Sequence, residues 1–127
     1  MKNFTKWNKE KVKIDSIKNL RSFHDREIWF IKIGENIGFE QNGKGAQFLR
    51  PVIIYKKFSK NMFLGIPLTT TKKKGRFYHA FVFKNKESAA LLSQIRLFDS
   101  KRLSYLVGRM SNNDFDGVKE KLIELLQ

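Results

Sequence analysis

Hydrophobic positions change their period several times along this chain. Over residues 3 to 19, Phe4, Trp7, Ile14 and Ile17 fall near one face of a 3.6-residue repeat, and most of the remainder is Lys, Asn and Glu. That spacing predicts an amphipathic helix, within a helical appendage formed by residues 1–22. The pattern then turns to that of strands at Glu27–Ile33 (EIWFIKI), Arg50–Phe58 (RPVIIYKKF) and Asn61–Leu68 (NMFLGIPL). Pro51 fits a strand start, where no ladder N–H is required. Ser59 and Lys60 are a suitable hairpin connection between the second and third strands. Phe77, His79, Phe81 and Phe83 alternate with Tyr78, Ala80, Val82 and Lys84, which predicts a fourth strand. Ser88–Phe98 (SAALLSQIRLF) reads as a fifth.

Polar segments separate these elements. Gly34–Leu49, with Gly34, Gly38, Gly43 and Gly45, reads as a long loop, and a loop of that length in a small domain is usually functional or mobile. Thr69–Gly75 reads as a basic turn. Asp99 or Ser100 is expected to cap a short helix through Leu103 and Leu106, stopped by Gly108. Ser111 with Asp114 is a capping pattern for a last helix, which spaces Phe115, Val118, Leu122, Leu125 and Leu126 along its length. Gly117 inside that helix costs about 1 kcal/mol relative to Ala. The pattern implies one domain over 1–127: the appendage, a core at 27–108 and a C-terminal helix at 111–127. Its class is mainly β with helices (α+β), a small curled antiparallel barrel.

Charge sharpens this picture. The 127 residues carry 26 Lys and Arg against 12 Asp and Glu, a net charge of +14. From Gln41 to Lys86 there is no acid, while 11 basic residues fall in the same stretch. A segment so one-sided repels itself unless something neutralises it, so the middle of the chain predicts a surface for a polyanion. The plainer alternative is a solvated basic face. With no cysteine, disulfides, thiolate metal sites and a cysteine nucleophile are excluded, and His24 and His79 alone do not make a zinc site. No apolar run reaches the roughly 20 residues of a membrane span, and the charged start MKNFTKWNKEKVK lacks a signal peptide's apolar stretch. A soluble, cytoplasmic protein is expected, with no membrane partner.

The residues present restrict the chemistry. Acid/base work by paired carboxylates would have to draw on Glu40, Glu87 or Asp99 at the edges of the basic stretch, and no cluster of acids for two-metal chemistry is spelled out. Arg and Thr at strand ends beside a Gly-rich loop suit one reaction that needs no cofactor or metal. In it, RNA is cut by its own 2′-hydroxyl, and the protein aligns the phosphate and stabilises charge on it. A guanidinium grips phosphate oxygens in a fork.

Four segments then become recognisable: EIWFIKIGENIGFEQ (27–41), RPVIIY (50–55), IPLTT (66–70) and SQIRLFDSKRL (93–103). In order and spacing they resemble the MazF/PemK/Kid family of toxins from toxin–antitoxin modules, over about Glu27 to Gly108. The resemblance implies an SH3-like barrel acting as a homodimer. It implies a metal-independent endoribonuclease that cuts single-stranded RNA at a short sequence, leaving a 2′,3′-cyclic phosphate and a 5′-hydroxyl. It also implies a cognate antitoxin with an acidic tail. Matched residue by residue, Arg50 is the charge stabiliser and proton donor at the scissile phosphate, and Thr69 is its catalytic companion. Glu40 and Gln41 match the loop motif, Gln94 matches the Q-I-R motif, and Thr70 stands next to Thr69. Lys44, Lys73 and Arg76 add basic contacts to the substrate from the loop and turn. Phe39 stands where the family often has Ser, and the loop from Gln41 to Arg50 is longer than in compact members, so the cut sequence does not carry over. Asp99 and Arg102 also match family positions, where holding local structure is the expected task.

Each residue has a plainer reading. Arg50 could pair with Glu40 or Asp99, the threonines precede a turn where Thr is ordinary, and Gln94 could satisfy a buried backbone group. Phe39 and Phe48 could stack on bases or fold back onto the barrel. His79 is the intuitive general base, but a strand histidine is more often packed or exposed. Two rival functions use the same barrel: a gyrase-inhibiting toxin like CcdB, and a nucleic-acid binder without catalysis whose affinity falls steeply with salt.

Overall fold

The computed structural model describes residues 22–33, 49–71 and 74–127. The expected N-terminal helix and almost all of the Gly-rich loop, with Phe39, Glu40, Gln41, Lys44 and Phe48, lie outside the described residues, as does Lys73. Seven strands follow in chain order: β1 (Glu27–Lys32), β2 (Leu49–Ser59), β3 (Met62–Thr69), β4 (Tyr78–Phe83), β5 (Lys86–Leu91), β6 (Arg96–Asp99) and β7 (Leu103–Arg109). Helix α1 (Asn112–Leu126) ends the chain. All pairings are antiparallel in the order β4-β5-β3-β2-β1-β7, with β6 also paired to β3. The architecture is the α+β, mainly antiparallel one that the pattern implies.

Strand β2 divides the core. Successive side chains point to opposite faces, and Val52, Ile53 and Ile54 are all fully buried, so both faces are covered. Ile53 joins Ile28, Ile66, Leu68, Phe81, Leu92 and the α1 residues Phe115, Val118 and Leu122 on one side. Val52 and Ile54 join Phe23, Trp29, Ile31, Phe63, Phe98 and Leu103 on the other. At Gly65 an added Cβ would lie 2.7 Å from Val52 Cγ1 and 2.9 Å from Phe98 Cδ2, so this second cluster closes over β3 only because Gly stands there.

Two expectations are corrected. The single fifth strand over Ser88–Phe98 is broken by a 3₁₀ turn at Leu92–Gln94. Strand β5 ends at the buried Leu91, and the fully buried Leu92 opens the turn. The chain turns a corner, with Leu92 N–H donating to Phe77 O at 2.9 Å. One stretch thereby serves two parts of β3: β5 pairs at Leu68 and Thr69, and β6 pairs at Met62–Gly65. The expected short helix through Leu103 and Leu106 is a 3₁₀ turn at Ser100–Arg102 followed by β7. Pairing with β1, from Glu27↔Arg109 to Ile31↔Leu103, gives these residues ladder partners that a short isolated helix lacks. Asp99 does cap the turn, accepting from Lys101 N–H at 2.9 Å.

Among the described residues, no ladder joins β4 to β7. Side chains bridge that seam instead. Lys84 Nζ donates to Val107 O at 2.6 Å, and the Phe83 ring lies against Gly108, where a Cβ would come within 2.8 Å of Cζ.

Candidate functional site

By the family resemblance, Arg50 is expected at the scissile phosphate. The structure puts it near the start of β2, paired with Ile31 of β1, and leaves only 3% of it exposed. It shares the face of Val52 and therefore lies at the margin of the second core cluster. Its Nε has no hydrogen-bond partner among the described residues. Burial pushes the guanidinium below its ordinary pKa, although Arg still keeps its proton at neutral pH. A permanently charged group with an unused buried donor is costly, and such costs concentrate where a ligand later supplies the acceptor.

Thr69 ends β3. The β2–β3 ladder runs out to Val52↔Pro67, and beyond it Thr69, paired with Ala89 of β5, comes to the same sheet end as Arg50. Thr69 is 8% exposed, and its Oγ1 accepts the Thr71 N–H at 3.2 Å. With that lone pair engaged, the hydroxyl proton remains to be donated. Thr70 follows, exposed. The sheet thus brings Arg50, Thr69 and Thr70 to one end.

A groove of about 210 Å³ opens on the other face of β2 at this end, lined by Phe30, Pro51, Leu68, Thr69, Thr70, Phe81, Phe83, Ser88 and Val107. Thr69 and Thr70 reach it and Arg50 does not. Lys84 and Lys86 stand on its wall; the sequence reading counts them among the basic residues without assigning them to a site. Lys84 and Asn85 both have positive φ, 50° and 65°, as the central residues of a tight two-residue hairpin require. The signal for it is the Asn between two strand patterns. From that turn Lys84 reaches across to the Val107 carbonyl.

The other expected residues are spread further. Gln94, half-buried, ends the 3₁₀ turn packed beside β3. Arg76 is exposed, with its guanidinium 5.5 Å from the Phe77 ring centre. Arg102 Nη1 donates to Lys32 O at 2.9 Å and ties the 3₁₀ turn to the end of β1. His79 faces α1, with a buried Nδ1 that has no partner among the described residues. Among the described residues, no three His, Cys, Asp or Glu side chains gather closely enough to hold a metal ion, and no helix is long and apolar enough to cross a membrane.

A small antiparallel barrel with a C-terminal helix, an arginine and threonines at one sheet end and a lysine-walled groove beside them define a class of compact basic barrel proteins. A family model described as "PemK-like, MazF-like toxin of type II toxin-antitoxin system" matches residues 24–126, and the chain belongs to that family. Solved structures agree on the fold. MazF from Deinococcus radiodurans superposes with a TM-score of 0.67 at 18% identity, covering 86% of this chain and 98% of that one. An endoribonuclease in complex with its cognate antitoxin, from a mycobacterial species, gives 0.62 at 12% identity, covering 83% and 95%. A MazF toxin of Mycobacterium tuberculosis gives 0.61 at 14%, covering 80% and 96%. No curated protein matches the sequence significantly.

Proposed function

We propose that the protein is a toxin endoribonuclease that cuts single-stranded RNA without a metal. The observation that carries this reading is the buried Arg50 side chain, its Nε without a hydrogen-bond partner among the described residues, brought with Thr69 to one sheet end in a member of this toxin family. The RNA's own 2′-hydroxyl attacks the adjacent phosphorus and the bond to the 5′-oxygen breaks. The proton lost by the 2′-hydroxyl is balanced by one gained at the 5′-oxygen. A 2′,3′-cyclic phosphate and a 5′-hydroxyl result. Arg50 holds the phosphate oxygens as negative charge builds and stands ready as proton donor, while Thr69 donates its free hydroxyl proton to another oxygen. In a site sheltered from water each of these contacts is stronger than in bulk solvent.

Glu40, Gln41, Lys44, Thr70, Lys73, Arg76 and Gln94 are proposed to bind the strand on either side. The proposal extends to a homodimer working in the cytoplasm, held inactive by an antitoxin whose acidic tail complements the net charge of +14. The mycobacterial endoribonuclease solved with its cognate antitoxin supports that last part.

The test is incubation of single-stranded RNA in excess EDTA, followed by mass spectrometry of the fragment ends. The wild type is expected to give cyclic phosphate ends. Arg50→Ala is expected to give none, with an unchanged circular dichroism spectrum. Full cleavage by Arg50→Ala, or cleavage only with added metal, overturns the mechanism.

A further inference from the structure

The barrel end away from Arg50 carries a second basic feature. An open cleft of about 420 Å³ is lined by His24, Asp25, Arg26, Lys57 and Arg109. Arg109 pairs with Glu27 at the start of β1, whereas Arg50 pairs with Ile31 near its finish. At about 3.3 Å per residue, Lys57 lies about 20 Å along β2 from Arg50.

Three cations meet one carboxylate in this cleft, and the carboxylate is already engaged: Asp25 Oδ1 accepts the Lys57 backbone N–H at 2.6 Å. Beside it, His24 Nδ1 and Glu27 Oε2 form an ion pair at 3.3 Å. Arg26, Lys57 and Arg109 have no carboxylate partner among the described residues. Two of the three are held by neutral groups that leave donors free. Lys57 Nζ donates to Phe23 O at 3.1 Å and lies 4.6 Å from the Phe23 ring centre, and an ammonium carries three N–H donors. Arg26 donates to the Asn112 side chain at the first residue of α1, and a guanidinium carries five.

The backbone under Arg26 is fixed as well. Its φ is 73°, a left-handed conformation that a long side chain seldom adopts. Hydrogen bonds pin it on both sides, from its N–H to Ile54 O and from Met110 N–H to its carbonyl, each 2.8 Å. Strain maintained this way marks positions where side-chain direction matters.

We propose that this cleft grips a phosphate of the RNA strand at a distance from the cut, as an anchoring site. The inference rests on the ribonuclease reading, which supplies the ligand. Phosphodiester oxygens only accept, and the three cations only donate. A strand held near Arg50 presents further phosphates to the cleft at high effective concentration, with no second partner needed.

The test compares binding of a tetranucleotide and a strand of roughly 15 nucleotides, both 2′-O-methylated so that neither is cut, across a salt series. Arg109→Gln, on an exposed side chain, is the first variant, and Arg109→Glu is the second. The longer strand is expected to lose affinity several-fold, and its logarithmic salt slope is expected to fall by about 0.7 for the one contact removed. The tetranucleotide, bound at the Arg50 end, is expected to be unaffected, which also reports an intact fold. Unchanged binding of the long strand, or equal losses for both lengths, overturns the proposal. So does a loss seen for polyglutamate and not for RNA, which would make the cleft a protein-docking surface. The Arg50→Ala cleavage assay is read separately, so failure of the anchoring site and failure of the ribonuclease reading give different results.

Discussion

Arg50 sets a conflict between folding and chemistry within one residue. Its charge is withdrawn from water while its Nε finds no acceptor among the described residues. A buried donor left unmade costs about 1–3 kcal/mol, more when charged. Replacing such a group with an apolar side chain of similar reach removes the cost. Arg50→Met is therefore expected to raise the urea midpoint, by about 1–3 kcal/mol in stability, while RNA cleavage is lost. A drop in the midpoint would identify Arg50 as a structural residue and remove it from the site. The motif R-P-V was legible as a strand start, but the burial was not. It follows from Ile31 across the ladder and Val52 beside it, which draw Arg50 to the margin of the core.

Helix α1 shows how one element is fitted to another. The Ser111 cap expected from sequence forms, with Oγ accepting the Asp114 N–H at 3.2 Å. Phe115, Val118 and Leu122 make the buried stripe. Gly117 looks like a flaw in such a helix until the sheet is placed beneath it. There an added Cβ would sit 2.5 Å from His79 Cε1. The glycine lets the imidazole lie flush against the helix, where Lys121 Nζ also donates to Tyr78 O at 3.1 Å. Gly117→Ala is expected to lower stability by about 1–2 kcal/mol through this overlap, although Ala is the better helix former. In a His79→Ala background the same change is expected to stabilise by about 0.5–1 kcal/mol. A double-mutant cycle from thermal unfolding measures the coupling; additive effects would contradict the contact. The same packing gives His79 a structural task in place of the general-base role its chemistry suggests.

For the whole molecule, the titrating groups make stability depend on pH in one direction. Burial, reinforced by the nearby Lys121 charge and opposed by Asp114, lowers the His79 pKa below 6.5. The unfolded chain then binds the proton more readily, so stability is complete above about pH 6.5 and declines as pH falls through the folded value. Burial raises the Glu27 pKa, but hydrogen bonds from Trp29 Nε1 and from the His24 backbone and ring outweigh it, and the net shift is below 4.5. The stability Glu27 adds is present above pH 4.5 and is lost on further acidification. Melting temperature is expected to fall in two stages from pH 7 to pH 3, with the upper stage absent in His79→Ala. A single stage near pH 4 in the wild type would show that His79 does not contribute.

The sequence by itself determined the first four strands, the final helix with its cap, and the position of the basic stretch, because hydrophobic period and capping are local properties. It also determined the family, through short motifs in order. Only the tertiary structure decided that Ser88–Phe98 splits at a corner, since two regions of β3 compete for it, and that Leu103–Arg109 is a strand, since β1 supplies the ladder. The burial of Arg50, the fit of His79 against Gly117 and the cleft joining Arg26, Lys57 and Arg109 likewise depend on residues far apart in the chain. No local pattern records them, because the free energy that sets them arises from contacts made only when the sheet has folded.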